Sequence, residues 1–184
     1  MITKIVRKPR KRRDLAEHFA KKKLNIGYEI GTCTGKFAET LCKANPNLEL
    51  KTVDPFIAVY EDRRTIRLGQ VEQDVLFNGA SERLQPYNCE IVRKTSMEAV
   101  REVPNESIDF IYIDGSHEFD YVMCDIIEWA RKVKKGGIVS GHDYYNFRWA
   151  GVVRAVDNYC QVHRIKELNL TRERTPSWWF VKTW

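Results

Sequence analysis

The amino-acid sequence predicts an α/β fold: a doubly wound, mostly parallel sheet with helices on both faces. Apolar runs of strand length alternate with segments of helical period, and right-handed crossovers between such strands produce a parallel sheet. The last part of the chain breaks this alternation, because the apolar runs at 164–171 and 177–183 are joined by "RERTP" without a helix. These two runs are predicted to form an antiparallel pair that closes the sheet.

The parallel part of the sheet is predicted from five earlier apolar runs. They are 24–31, 48–54, 89–95, 108–114 and 136–142. After the fourth run, Val122, Ile126 and Trp129 recur at helical spacing and fall on one face of a helix. A first helix is expected at about 13–23. Ligands of such sheets bind at the carboxyl ends of the strands, so the residues that follow each run are the candidate functional residues.

Composition favours a single globular domain. We expect it to span 13–184, after a basic N-terminal arm at 1–12. The five cysteines are scattered and form no Cys-x-x-Cys pair, which favours a reducing compartment over a disulfide framework or a zinc ribbon. No apolar stretch is long enough to cross a membrane, and the N-terminal region lacks the apolar core of a signal peptide. A cytoplasmic protein without a membrane partner is therefore expected.

Positive charge is concentrated near the N-terminus. Residues 1–23 contain ten Lys or Arg against two acidic residues, whereas the whole chain carries +6, so the remainder is slightly acidic. The run at 7–13 suits contact with a nucleic-acid phosphate backbone. A solvated, partly disordered arm is the alternative, and the more common use of such a run. Because the arm is remote in sequence from every strand end, it is predicted to be dispensable for catalysis.

The first apolar run ends in "YEIGTCTGKF", which places Glu29, Gly31 and Gly35 in an E-x-G-x-x-x-G pattern. Glycine allows a tight turn and close approach of the backbone to a ligand, and the helix that follows presents unpaired amides. Cys33 occupies the second glycine position of a dinucleotide fingerprint, and the spacing is wrong for a P-loop. Phosphate is therefore not the expected ligand of this turn.

Two further runs end in polar residues. Asp54 ends the second run, where a carboxylate can accept both hydroxyls of a ribose; capping of the turn before Pro55 is the structural alternative. Ser96 and Met97 follow the third run. Ser96 is placed to cap a helix, and Met97 can lie against a heterocycle or belong to the core.

The combination of these features resembles a known family. The E-x-G-x-x-x-G turn, the acid that ends the second run, and the D-G-S-H and G-H-D-Y sequences within 110–144 are similar to class I S-adenosylmethionine-dependent methyltransferases. The most similar branch includes sugar and macrolide O-methyltransferases. The resemblance implies a Rossmann-like sheet of seven strands whose last strand is antiparallel. It also implies S-adenosylmethionine as cofactor and a small-molecule hydroxyl, of a sugar or a phenol, as acceptor.

The resemblance also implies which residues bind the cofactor. They are Glu29, Gly31, Thr32, Cys33, Gly35, Asp54, Ser96, Met97 and Asp114. His117 follows the fourth run beside the expected position of the sulfonium and is the candidate catalytic base. Its reference pKa of about 6.5 suits proton transfer at neutral pH. A histidine that merely bonds its own loop is the alternative.

A second polar group follows the fifth run. His142 and Asp143 are expected to converge with Asp114 from the adjacent strand end, and the three are a candidate site for a divalent ion such as Mg²⁺ or Mn²⁺. Metal-using relatives tend to carry an acidic pair at the second position. His142 departs from that pattern, which weakens the case for magnesium and leaves room for a softer ion. A hydrogen bond from His142 to its loop or to the cofactor is the alternative, and metal dependence remains open.

Three other interpretations remain open. A nucleic-acid methyltransferase would explain the basic arm, but the fourth run ends in Asp-Gly-Ser-His and not in the Asn/Asp-Pro-Pro-aromatic motif typical of base-amine methylation. A metal-dependent hydroxylase on the same scaffold would use the two imidazoles. A non-catalytic cofactor-binding module is the third interpretation, but it would not need His117. Separately, an oligomer is compatible with the sequence. The acceptor itself is not identified; helices within 56–88 and the aromatic residues Tyr144, Tyr145, Phe147 and Trp149 are expected to border its pocket.

Overall fold

The computed structural model describes residues 4–58, 68–146 and 150–184. Its strands are β1 (Lys4–Arg7), β2 (Ile26–Ile30), β3 (Glu49–Val53), β4 (Cys89–Val92), β5 (Ile108–Ile113), β6 (Val133–Gly141), β7 (Glu167–Leu170) and β8 (Trp178–Val181). Its helices are α1 (Arg12–Lys21), α2 (Lys36–Ala44), α3 (Gln70–Leu84), α4 (Ser96–Ala99), α5 (Phe119–Lys132) and α6 (Val152–Val162), with a 3-10 turn at Val100–Glu102.

The strands form one sheet with the order β1-β7-β8-β6-β5-β2-β3-β4. The pairs β2–β3, β2–β5, β3–β4 and β5–β6 are parallel, whereas β8 is antiparallel to both of its neighbours, β6 and β7. The predicted α/β class, the parallel centre and the antiparallel last strand are confirmed. The strands predicted at 24–31, 48–54, 89–95, 108–114 and 136–142 correspond to β2 to β6.

The sheet has eight strands where seven were expected. The additional strand is β1, which lies inside the predicted basic arm and pairs in parallel with β7, from Lys4 opposite Glu167 to Arg7 opposite Leu170. Its residues are mostly exposed, so they show none of the apolar alternation by which sequence reveals a strand. The structure thus places residues 4–7 in the sheet and begins α1 at Arg12.

Hydrophobic residues pack on both faces of the sheet. β5 shows why: Ile111 and Ile113 point to the face covered by α5 and α6, whereas Phe110 and Tyr112 point to the face covered by α1 and α2. The predicted helical face of Val122, Ile126 and Trp129 is fully buried in the first of these layers. The expectation of helices on both faces is confirmed.

The strand directions determine where the polar loops meet. β7 is antiparallel to β8, which is antiparallel to β6, so β7 and β1 run in the same direction as β5 and β6. The carboxyl ends of all strands except β8 therefore lie at one edge of the sheet. None of the helices described is long and apolar enough to cross a membrane.

Candidate active site

A cleft of about 490 Å³ lies at this edge of the sheet. The loops after β2, β3, β5 and β6 supply its polar lining, and the start of α3 supplies apolar side chains opposite. The described lining residues are Ile30, Gly31, Cys33, Val53, Asp54, Pro55, Ile57, Ala58, Leu68, Gln73, Leu76, Ser96, Asp114, Gly115, Ser116, His117, Asp125, His142 and Asp143.

The turn after β2 brings two backbone segments together at the floor of the cleft. Gly31 has φ of +96°, and a Cβ at this position would lie 2.2 Å from the carbonyl oxygen of Asp114. A larger residue is excluded here by both conformation and space. Gly35, with φ of +71°, is the N-cap of α2. Gly35 is not among the described lining residues of the cleft. The two predicted glycines therefore have different structural roles: Gly31 forms the floor of the cleft, and Gly35 caps the start of α2.

Asp54 follows β3 and lines the cleft. Its Oδ2 accepts a hydrogen bond from the backbone N–H of Cys33 and its Oδ1 accepts one from that of Phe56, each at 3.0 Å. Burial raises the pKa of this carboxyl, and the backbone hydrogen bonds oppose the rise. Cys33 and Phe56 both adopt left-handed backbone conformations, with φ of 46° and 48°. Strain of this kind is retained where the surrounding structure fixes a site.

Glu29 lies beneath the cleft and is 1% exposed. Its Oε2 accepts a 2.6 Å hydrogen bond from the Thr52 hydroxyl, which is 2.7 Å from the hydroxyl of Thr32. Burial raises the pKa of Glu29 to about 8, against the hydrogen bond from Thr52 and the charge of Arg12. Glu29 is therefore mostly protonated at neutral pH. Both Glu29 and Thr32 support the turn from below, and neither belongs to the described lining of the cleft.

The residues after β4 divide between lining and core. Ser96 lines the cleft: its hydroxyl donates to Asp125 Oδ1 at 2.5 Å and accepts from the indole N–H of Trp129 at 2.8 Å. Met97 packs against the hydrophobic core and is outside the described lining. Asp125 was missed, although it lies on the buried face of α5 three residues after Val122. Burial raises the pKa of Asp125 to about 7, against the Ser96 hydrogen bond.

Two imidazoles meet one carboxylate where the loops after β5 and β6 line the cleft. His117 Nε2 lies 2.9 Å from Asp143 Oδ2, and His142 Nδ1 lies 3.1 Å from the same oxygen. Burial alone would raise the pKa of Asp143, but the hydrogen bonds from His117 and His142 outweigh it and hold that pKa well below its usual range. Asp143 also has a left-handed backbone, with φ of 56°. The carboxylate is thus permanently ionised and available to orient both rings.

Asp114 joins the same group from the end of β5. Its Oδ1 lies 3.6 Å from His142 Nδ1, and its Oδ2 accepts a 2.5 Å hydrogen bond from Nη2 of Arg12. Arg12 is the first residue of α1 and stacks on two rings of the opposite layer: its guanidinium carbon is 3.9 Å from the centroid of Phe37 and 4.9 Å from that of Tyr112. Sequence reasoning assigned this residue to the dispensable arm. The structure instead joins it to the active-site cluster.

One combination of ligand atoms in the cluster is compact enough for a metal ion. Asp114, His117 and Asp143 each offer one atom, and these atoms all lie within 4.8 Å of one another. The predicted set was Asp114, His142 and Asp143. His142 lies nearby, with its Nδ1 3.1 Å from Asp143 Oδ2 and 3.6 Å from Asp114 Oδ1, so the structure adds His117 to the candidate ligands, and the metal site stays a prediction. Two carboxylate oxygens and one imidazole suit ions such as Mn²⁺ or Fe²⁺ better than Mg²⁺, which prefers oxygen ligands alone.

The aromatic residues expected around the acceptor have mixed outcomes. The Tyr144 hydroxyl donates to Asp157 Oδ1 at 2.7 Å, and its ring packs against the core, so it is not part of the lining described for the cleft. The backbone N–H of Tyr145 donates to the carbonyl of Asp143. Phe147 and Trp149 lie outside the described residues, as does part of the 56–88 segment.

Comparison with known proteins identifies the family. A family described as a methyltransferase domain matches residues 28–144, which is more than half of the chain. The chain belongs to this methyltransferase family. The match begins in β2 and ends with the G-H-D-Y sequence, so it contains every polar residue described in the lining of the cleft. The predicted enzyme class is confirmed.

Solved structures share the fold of this methyltransferase. The O-methyltransferase TomG of Streptomyces achromogenes, solved with SAM, has a TM-score of 0.66 and 12% identity, over 93% of this chain and 79% of that one. An O-methyltransferase of Bacillus cereus, solved with SAH, has a TM-score of 0.65 and 12% identity, over 93% and 80%. A curated relative, the uncharacterised protein R132 of Acanthamoeba polyphaga mimivirus, is 26% identical over 145 residues. The chain spans 62% of the length of that relative.

Proposed function

We propose that the chain transfers the methyl group of S-adenosylmethionine to a hydroxyl oxygen of a small molecule. The observation that carries this proposal is the position of the His117–Asp143–Asp114 cluster on the wall of the cleft that Gly31 and Asp54 also line. S-adenosylmethionine supplies an electrophilic methyl group on a sulfonium. The protein has to hold that cofactor, exclude water and remove a proton from the acceptor.

The cleft fits the cofactor on chemical grounds. Each Asp54 oxygen accepts one backbone hydrogen bond and retains a lone pair, so the carboxylate is held rigidly and can accept hydrogen bonds from the two hydroxyls of a ribose. The absence of a side chain at Gly31 keeps the floor low beside Asp114. A purine would find a polar wall and an apolar wall. The polar wall consists of Ser96 and Asp125, and the apolar wall consists of Ile57, Leu68 and Leu76.

His117 is proposed as the general base. When its Nε2–H donates to Asp143, the ring is held in the tautomer whose basic nitrogen is Nδ1. That nitrogen takes the proton of the acceptor hydroxyl as the oxygen lone pair forms the new bond to the methyl carbon, while the carbon–sulfur bond of the sulfonium breaks and S-adenosylhomocysteine is the leaving group. Asp143 then stabilises the imidazolium, because its carboxylate stays ionised. General-base assistance of this kind contributes roughly 10²–10⁴-fold to the rate.

A metal-assisted mechanism is the second candidate, favoured by the compact group of Asp114, His117 and Asp143. A divalent ion held by these residues would lower the pKa of a bound hydroxyl. His117 cannot serve in both mechanisms. A neutral imidazole has one basic nitrogen, and once that nitrogen binds an ion the ring can no longer accept the proton of the acceptor. The His117–Asp143 hydrogen bond favours the base mechanism.

The proposal is tested first without an acceptor. Calorimetry is expected to show binding of S-adenosylhomocysteine and no comparable binding of NAD. Glycosides and phenols are then screened for release of S-adenosylhomocysteine from S-adenosylmethionine. With the best acceptor, His117→Ala should lower the rate by roughly 10²-fold or more. His163→Ala is the control, since His163 stacks on Tyr159 and Trp184 away from the cleft. Tight NAD binding, or full activity of His117→Ala, would contradict the proposal.

A further inference from the structure

Exposed cations from two distant segments form a basic surface beside the active-site cluster. We define the basic surface as the side chains of Arg7, Lys8, Arg10, Lys11, Arg172 and Arg174, all of them exposed. The first four follow or end β1, and the last two follow β7. Since β1 and β7 are parallel neighbours, both segments emerge at the carboxyl edge of the sheet, where the loops after β5 and β6 also lie.

Specific hydrogen bonds hold the two segments together. The backbone N–H of Arg172 donates to the carbonyl of Arg10 at 3.1 Å, and its Nε donates to the carbonyl of Arg7 at 2.9 Å. Within the described part of the chain, no side chain of the basic surface has an acidic partner in an ion pair. Glu173 lies between Arg172 and Arg174 in the sequence, but six cations against this one carboxylate leave an excess of positive charge, and like charges held together repel one another.

Both segments are connected directly to the catalytic residues. Arg12 follows Lys11 and bonds Asp114. On the other side, the N–H of Tyr144, the residue after Asp143, donates to the carbonyl of Pro176 at 2.9 Å, two residues beyond Arg174. The basic surface therefore borders the acceptor side of the cleft.

We propose that the basic surface binds a compact, multiply charged anionic group of the acceptor, of the phosphate class, while the hydroxyl to be methylated lies at His117. This inference rests on the proposed methyl transfer and names its substrate class. A compact anion fits better than a polynucleotide, because the cations come from two short segments at one end of the cleft. Among the described residues, the α3 side of the cleft carries Glu72 and an Asp74 that is paired with Arg93 at 2.9 Å, so it offers a long phosphate chain no comparable group of cations.

Calorimetry with inorganic tripolyphosphate tests the proposal, with and without saturating S-adenosylhomocysteine. The triple variant Arg7→Gln, Arg10→Gln, Arg174→Gln should weaken tripolyphosphate binding by about tenfold, since each exposed charge contributes modestly. The control Arg101→Gln, Lys132→Gln, Lys135→Gln removes the same charge at the opposite edge of the sheet and should change the affinity by less than about twofold. Binding to the wild type should weaken as sodium chloride rises from about 50 to about 200 mM.

Four other results would contradict either the basic-surface proposal or the proposed cofactor. Equal losses in the two triple variants would show a response to net charge and overturn the proposal. So would an absence of tripolyphosphate binding in a wild-type protein that binds S-adenosylhomocysteine. Binding of single-stranded oligothymidylate that is far tighter than that of tripolyphosphate would replace the compact anion with a polynucleotide. Failure to bind S-adenosylhomocysteine would contradict the proposed cofactor and not the basic surface. The tripolyphosphate titration in the absence of S-adenosylhomocysteine tests the basic surface separately.

Discussion

Arg12 and Asp114 are bonded across 102 positions of the sequence, with 2.5 Å between Nη2 and Oδ2. The pair fixes one oxygen of the carboxylate that ends β5 and leaves the other toward His142. It also ties α1 to the active site, since α1 is anchored on the sheet by the buried Leu15, Ala16 and Phe19. Arg12 is therefore bonded to the proposed active site, and removal of residues 1–12 is not expected to be neutral.

The first prediction concerns this pair. Arg12→Gln should lower the free energy of unfolding by ~2 kcal/mol, because it leaves the half-buried Asp114 carboxylate without its counter-charge and removes the stacking on Phe37. Urea unfolding at neutral pH measures the change. Arg13→Gln is a matched control, since Arg13 is exposed and its nearest acid, Asp14, lies 3.9 Å away. Equal midpoints for Arg12→Gln and the wild type would show that the pair contributes nothing to stability.

The second prediction concerns the cofactor. Asp54→Ala should weaken S-adenosylhomocysteine binding by about 1–3 kcal/mol, because two hydrogen bonds to the ribose are lost. Calorimetry gives the affinity, and circular dichroism checks that the fold is retained. Asp120→Ala, an exposed carboxylate in the first turn of α5, should leave the affinity unchanged. If Asp54→Ala binds S-adenosylhomocysteine as tightly as the wild type does, Asp54 does not contact the ribose.

The third prediction concerns the metal. If Asp114, His117 and Asp143 bind an ion, Mn²⁺ should bind to the wild type, as measured by electron paramagnetic resonance. Asp143→Asn should then weaken Mn²⁺ binding by about tenfold or more, because a divalent cation loses a charged ligand. Asp120→Asn serves again as the control. If the wild type binds no Mn²⁺ and a chelator leaves turnover unaffected, His117 acts as a base without a metal.

The fourth prediction concerns pH. Burial raises the pKa of Glu29 from 4.5 to about 8, so the folded state holds a proton that the unfolded chain releases. The wild type should therefore lose stability as pH rises between these values. Glu29→Gln lacks this proton and should show a smaller loss between about pH 5 and about pH 8, by up to about 4 kcal/mol at 1.36 kcal/mol per unit. Parallel curves of unfolding free energy against pH would show that the pKa of Glu29 is not raised. Asp125 titrates in the same sense in both proteins and cancels in the comparison.

The sequence was informative where local order determines position. Apolar runs predict where the strands end, and the carboxyl ends of parallel strands lie at one edge of the sheet. Together they predict the positions of Gly31, Asp54, Asp114 and Asp143. Side-chain directions, in contrast, are not encoded by the spacing of residues. They determine that Met97 packs against the core and that His117 joins the compact ligand group. Arg12 was missed because its partner is 102 positions away, and a charge run gives no sign of which cation turns inward.

The pairing of β1 with β7 has a consequence for the order of folding. Lys4 and Glu167 are 163 positions apart, so β1 cannot dock until the last quarter of the chain has formed its strands. Closure of so long a loop is entropically costly and slow compared with the neighbouring pairs β2–β3 and β5–β6. On the ribosome, β1 would thus emerge long before its partner β7 and join the sheet late. Pulse-labelled hydrogen exchange should show protection of the Ile111 amide before that of Val6, and Arg12 would reach Asp114 as the active site closes.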